Sequence, residues 1–313
     1  MTADYRSLIN RFGDAVHLNE ALSRYTVARL GGPADVLIEA REVDALAAIL
    51  TCCWQAGFPT RIIGGGANVL IGDNGYRGVI VVNQTKELHI DAASGVITAE
   101  SGVSLTTLAR ETIAQGLSGF EWAIGVPGTA GGAVVNNAGA HGRDMAASLQ
   151  TADVIIAPDQ RETWPVTHFQ YHYRESALKH RGPEQPSVAV LRVQLRFTPG
   201  NDPAALRAIA DGYQTQRKRS QPPGASLGSM FKNPPGDYAG RLIEAAGLKG
   251  LQIGGVQISS LHANFFVNLG GGSAADYQAL IGQAQAAVRA QFGIDLALEV
   301  EVIGEGESGI AGE

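Results

Sequence analysis

The chain has 313 residues, 45% of them hydrophobic and 17% charged, with a net charge of −6. That length supports two or three domains with full cores, and the acidic balance, without a basic stripe interleaved with aromatics, argues against nucleic acid as a partner. No apolar run of membrane-spanning length and no signal peptide stand out, so a cytoplasmic protein without membrane insertion is expected, and any anion site on it must be locally basic.

Residues up to about 82 alternate strand and helix. Asp35–Ala40 predicts a strand, Val43–Ala56 a helix, and Thr60–Ile63 and Val79–Asn83 strands. Cys52 and Cys53 are neighbours in that helix pattern and point about 100° apart, so no mutual disulfide is expected, and no metal-ligand pattern exists. From Ile62 to Ile71 a β-like run breaks into Gly64, Gly65 and Gly66, followed by Ala67, Asn68 and Val69. This reads as a strand feeding a phosphate-cradling turn. It is neither a G-x-G-x-x-G fingerprint nor a P-loop.

From about 84 to 200 strands dominate, among them Ile97–Glu100, Asp153–Ala157 and Val188–Phe197, interrupted by a helix near Leu105–Gln115. Val126 to Gly142 packs glycines among small residues, including Pro127, Gly128, Thr129, Gly131, Gly132, Asn137 and Ala138. Its side chains read as too small to build a core, and its backbone N–H groups as turned toward a flat or anionic ligand. Pro199 to Pro203 marks a boundary, after which Asp202 can cap a helix with Pro203 at its first position. That helix runs to about Arg219, and Arg217-Lys218-Arg219 reads as a solvated helix end. Helices near Asp237–Ala246 and Ala274–Phe292 follow, with strand-like segments at Val256–Ser259 and Phe265–Val267. Ala297 to Val302 alternates with the period of a strand with one buried face, which would point Glu299 and Glu301 the same way.

The most informative segment is Gly228-Ser229-Met230-Phe231-Lys232-Asn233-Pro234. Gly228 permits close backbone approach, and Pro234 biases Asn233 toward an extended conformation. Ser229 is then held on a stiff loop with one proton to donate, while Lys232 and Asn233 could grip a phosphate.

With these segments in view, the chain resembles the UDP-N-acetylenolpyruvoylglucosamine reductases, flavoenzymes that complete UDP-N-acetylmuramate in peptidoglycan synthesis. The resemblance runs from about Tyr25 to Gly304. It rests on Arg29 to Asp35, Gly64 to Leu70, Val126 to Gly142, Tyr173 to Ser176, Gly228 to Pro234, Leu242 to Gly250, His262 to Phe265, and Leu298-Glu299-Val300 before Ile303-Gly304, in the family's order. It implies an α+β protein: a two-domain FAD-binding fold of the vanillyl-alcohol-oxidase type plus a third α+β substrate-binding domain. The implied parts are residues 1–83, rejoined by 300–313, and 84–200 for FAD, and 201–299 for substrate. Only about 55 residues separate Arg174 from Ser229, which resembles the family's shorter subtype.

The resemblance also implies non-covalent FAD, NADPH as hydride donor and the enolpyruvyl ether of UDP-N-acetylglucosamine as substrate. Hydride added at the β carbon leaves negative charge over the α carbon and carboxylate, so a cation and an acid are needed. Arg174 would clamp the carboxylate, Ser229 would protonate the α carbon, and Glu299 would lie near both the carboxylate and Arg174. A carboxylate beside a carboxylate requires that one be protonated or that the arginine offset both. Lys232 and Asn233 would hold the diphosphate. Gly64, Gly65, Gly66, Ala67, Asn68, Val69, Pro127, Gly128, Thr129, Gly131, Gly132, Asn137 and Ala138 would contact FAD. His262 reads as structural. The sequence departs from the family pattern at Ala67, where serine is usual, at His141, where tyrosine is usual, and at Ala297, where an acid is common. Two rivals remain: a flavin oxidase on the same fold, which predicts a covalent flavin, and a non-catalytic descendant, which predicts loss of Arg174, Ser229 or Glu299.

Overall fold

The structure is a computed structural model that describes residues 4–181 and 185–304. It divides into two compact units. The first holds the chain up to Leu18, Val36–Gly65 and Gly78–Thr215; the second holds Asn19–Asp35, Gly66–Arg77 and the chain from Gln216 onward.

In the first unit the helix Val43–Gln55 forms because Val43, Leu46, Ala47, Leu50 and Cys53 recur at helical spacing and all are buried. That stripe packs on Val36, Ile38 and Ala40 of strand Pro33–Ala40, and on Val79 and Val81 of strand Tyr76–Asn83. Burial pushes the Cys53 thiol up to about 11, so it stays protonated and acts as a small apolar group. The strands Val16–Ala21, Pro33–Ala40, Tyr76–Asn83 and Thr60–Ile63 form one sheet in that order, the last two parallel.

A second, antiparallel sheet runs Gln160–Pro165, Leu149–Ile156, Val188–Arg196, Val96–Glu100 and Leu88–Asp91. Alternation splits its faces: Val154, Val193 and Ala99 join the core under helix Leu105–Ala114, while Ile155, Ala189 and Leu191 join the core under Val43–Gln55. The glycine-rich segment departs from expectation. Ala130–Asn136 is a helix, and its Ala130, Ala133 and Val134 are core residues beside Ala99 and Leu108. Small side chains there bring the helix close to the sheet rather than leaving it without a core.

The second unit carries an antiparallel sheet of Ala225–Ser229, Phe265–Asn268, Val256–Ile258 and Gln252–Ile253. Helix Ala274–Phe292 packs on it through Tyr277, Leu280, Ile281, Ala284 and Val288, joined by Leu242 and Ile243 of the short helix Ala239–Ala245. The long helix starts at a capping box of Ser273 and Asp276. The Asp73 carboxylate also accepts from the N–H groups of Ala274 (2.7 Å) and Ala275 (2.9 Å), which ties the Gly66–Arg77 segment to it. The uniform strand expected over residues 297–302 is broken. Lys232 and Glu299 donate N–H bonds across to Ala297 and Met230, the chain bends at Glu299 and Val300, and Glu301–Ile303 then pairs in parallel with Val69–Ile71.

Candidate active site

In the first unit the two glycine turns meet each other. A Cβ on Gly64 would stand 2.3 Å from Thr129 Oγ1, and one on Gly65 would stand 3.2 Å from the Gly128 Cα. Neither glycine could carry a side chain without moving its neighbour, so this contact is why the turn is glycine at both places. Gly64→Ala is expected to cost about 1–3 kcal/mol by overpacking, read as a fall in the denaturation midpoint. An unchanged midpoint would mean the Thr129 side chain rotates away without strain.

Other parts of the same segment face outward. Gly128 has φ +116° and an added Cβ there would meet nothing, so the backbone is open to a close neighbour. Gly132 is exposed, with only Thr129 Oγ1 near at 3.7 Å. By contrast, the N–H of Ala130 donates to Val103 O and that of Gly131 to Ser101 O, both at 2.8 Å. Asn137, left-handed at φ 42° and buried, donates to Asp144 Oδ2 and His172 O and accepts from Ala146 N–H. Gly131 and Asn137 therefore shape the segment, and Gly128 and Gly132 present its surface.

Arg174 sits at the tip of a tight turn closed by reciprocal backbone bonds between His172 and Glu175. Its φ is +57°, an uncommon conformation for a bulky side chain. The turn is docked on the end of helix Ala130–Asn136: Tyr171 Oη donates to Val134 O, Ser176 Oγ to Val135 O, and Asn137 to His172 O. Arg174 Nη2 donates to Gly139 O at 2.8 Å, and its guanidinium lies 5.4 Å from the Tyr173 ring centroid. His141 stacks on Tyr213 at 4.0 Å between centroids, so its ring is engaged with the helix Pro203–Ser220.

In the second unit the structure brings Ser229, Lys232, Glu299 and Asn68 onto neighbouring backbone. Ser229 ends strand Ala225–Ser229, opposite Phe265 and just past an irregularity in the ladder, with Gly228 at φ +82°. Glu299 N–H donates to Met230 O (2.9 Å), and Asn68 Nδ2 donates to Glu299 O (3.2 Å). Ser229, Lys232 and Glu299 are half-buried, whereas Ala297 and Glu301 are exposed. Asn233 Oδ1 accepts from Ala239 N–H at 3.1 Å and so caps the short helix. In the basic run Lys218 and Arg219 are exposed, while burial lowers the pKa of Arg217.

Asn264 is the residue whose role the sequence hid. It is buried, its side chain makes two hydrogen bonds to Phe231, and its neighbour His262 accepts Asn264 N–H at Nδ1 (3.2 Å). Burial, and then the charge of Lys249, lower the His262 pKa, which favours the neutral ring that this bond needs.

Comparison with known proteins matches both units. Residues 219–303 match the family model for the UDP-N-acetylenolpyruvoylglucosamine reductase C-terminal domain, and residues 34–159 match the FAD binding domain model. A protein called UDP-N-acetylenolpyruvoylglucosamine reductase from Chloroflexus aggregans is 42% identical over 91% of this chain and 96% of its own length. One from Rubrobacter xylanophilus is 41% identical over 95% and 98%. The solved reductase of the same kind from Thermus caldophilus aligns with a TM-score of 0.76 at 32% identity, covering 90% of this chain and 97% of that one. The open backbone at Gly128 and Gly132 fits FAD, since a flat or phosphorylated group can approach where no side chain stands. The fold is thus an α+β FAD-binding fold followed by a C-terminal domain. With relatives this similar along nearly its whole length, the chain belongs to the UDP-N-acetylenolpyruvoylglucosamine reductase family.

Proposed function

We propose that this chain reduces the enolpyruvyl ether of UDP-N-acetylglucosamine to UDP-N-acetylmuramate, a cytoplasmic step in making peptidoglycan precursors, using NADPH and non-covalently held FAD. FAD, when bound, supplies a hydride carrier between NADPH and the substrate's β carbon. The observation that favours this reading is the pairing of residues 230–232 with 297–299, which sets the Ser229 loop beside Glu299.

Ser229 Oγ donates the proton to the α carbon. A serine hydroxyl is a weak acid at neutral pH, so it serves only a strongly basic, enolate-like carbon and needs fixed placement. Arg174 binds the substrate carboxylate, where a planar guanidinium matches a planar anion. Glu299 lies with Ser229 on the same paired backbone and orients the groups around the carboxylate. Lys232 and the Nδ2 end of Asn233 hold the diphosphate. Gly64, Gly65, Gly66, Ala67, Asn68, Val69, Pro127, Gly128, Thr129, Gly132 and Ala138 line FAD, and Gly131 and Asn137 shape that lining. Residues 1–83 and 84–200 form the two FAD-binding parts and 201–299 the substrate-binding part; of the returning segment 300–313, residues 305–313 lie outside the described residues.

The test is anaerobic stopped-flow. NADPH should bleach the flavin, and the enolpyruvyl UDP-sugar should restore its absorbance without oxygen. A reduced flavin that only oxygen reoxidises would overturn the assignment in favour of an oxidase. Lys232→Ala is expected to weaken KM for the UDP-sugar by about 1.5–3 kcal/mol, tenfold or more, with NADPH-driven bleaching unchanged. An unchanged KM would move the diphosphate to Arg217–Arg219.

A further inference from the structure

We propose that Asn264 is a positioning residue for the proton-transfer step, acting through Met230 and Phe231 on both Ser229 and Glu299. This rests on the reductase reading above. The ladder between strands Ala225–Ser229 and Phe265–Asn268 stops at the pair Ser229 and Phe265. Beyond it, the partner of Met230 and Phe231 on that side is Asn264. Its backbone carbonyl accepts Met230 N–H at 2.7 Å. Its Oδ1 accepts Phe231 N–H at 2.9 Å, and its Nδ2 donates to Phe231 O at 2.8 Å. The carboxamide therefore pairs with the peptide groups of Phe231 as another backbone would, with one donor and one acceptor.

The opposite edge of the same residues carries the other group. Met230 O accepts Glu299 N–H, and Lys232 N–H donates to Ala297 O, both at 2.9 Å. Residues 230–232 are thus held between Asn264 on one side and 297–299 on the other. Any shift of Phe231 moves Ser229 along the chain and Glu299 across the bonds. Asn264 is 2% exposed and is itself fixed by its N–H bond to His262 Nδ1, so the clamp is built into the interior rather than made by a mobile surface group. Asn264 needs no contact with substrate to matter, because displacement of a catalytic group by about 1 Å can lower a rate roughly 100-fold.

The test uses the whole flavoprotein and Asn264→Asp, which keeps the shape but replaces the Nδ2–H donor with an acceptor facing Phe231 O. Substrate-driven flavin reoxidation should slow by about 10- to 100-fold, while NADPH-driven reduction stays within about threefold. The double variant Asn264→Asp/Ser229→Ala should be slower than Ser229→Ala by clearly less than Asn264→Asp slows the wild type, since only Glu299 is then left to position. Hydrogen exchange should rise in peptides covering 229–232 and 297–300 and stay unchanged over Val43–Gln55. That readout does not depend on turnover.

Equal slowing of both half-reactions, additive slowing in the double variant, or unchanged exchange at 229–232 would each overturn the proposal. If Asn264→Asp is insoluble, Asn264→Gln, which moves both amide groups out by one methylene, should give the same selective loss. Failure of both variants to fold would make Asn264 a stability residue and overturn it as well. A wild-type flavin that the enolpyruvyl substrate does not reoxidise would instead overturn the reductase reading, and the exchange result would still report on the clamp.

Discussion

Ser229→Ala should leave NADPH-driven flavin reduction at the wild-type rate and slow reoxidation by the enolpyruvyl substrate by about 100-fold or more. The two halves separate because they need different chemistry. Reduction by NADPH needs no proton on the substrate's α carbon; reoxidation does. The substitution removes one oxygen from a half-buried position and leaves the backbone pairing of Ser229 with Phe265, and of its neighbours with Asn264 and Glu299, in place. A loss confined to the second half then reports the hydroxyl itself. Slowing of both halves alike would show that Ser229 only supports the loop, and water would have to supply the proton.

Glu299→Gln should slow the same half-reaction by about 100-fold, while Glu301→Gln should stay within a few-fold of wild type. Sequence alternation places the two carboxylates on one side of a strand and offers no choice between them. The bend at Glu299 and Val300 separates them. Glu299 is half-buried, with its N–H on Met230 O and its carbonyl on Asn68 Nδ2. Glu301 is exposed at the start of the strand paired with Val69–Ile71, and an exposed carboxylate contributes less than about 1 kcal/mol to its surroundings. Ala297 is exposed too. The measurement is reoxidation rate for each variant after anaerobic reduction. If Glu301→Gln shows the larger loss, the role has shifted along the chain; if both losses are mild, no carboxylate takes part in the step.

Much of the local structure is legible in the sequence. The helix Val43–Gln55 and the helix Ala274–Phe292 follow from apolar residues at helical spacing, and Asp202 caps its helix through Ala204 N–H as its position before Pro203 implies. The Gly64 turn, the Gly128 segment and the Ser229 loop stand out because their glycines and prolines mark backbones that few other residues adopt, and Arg174 because of its place in the family motif and the match of a guanidinium to a carboxylate. Elements whose residues face solvent were missed. Strand Val16–Ala21 is mostly exposed and Gln160–Pro165 is an edge of its sheet, so neither shows an alternating pattern.

Composition and period report what each residue does with water; they carry no record of which remote backbone it will meet. That limit decides what the sequence by itself determined. It established an α+β chain, the family motifs and the residue types able to bind an anion, a flavin and a carboxylate. Only the tertiary structure decided that a side chain on Gly64 would run into Thr129, that helix Ala130–Asn136 is part of the core, and that residues 297–302 are two pairings joined by a bend. It alone showed Asn264 standing in for a strand beside Phe231. Each of these depends on hydrogen bonds or close contacts between segments far apart in the chain, whose partners are set by how whole elements pack.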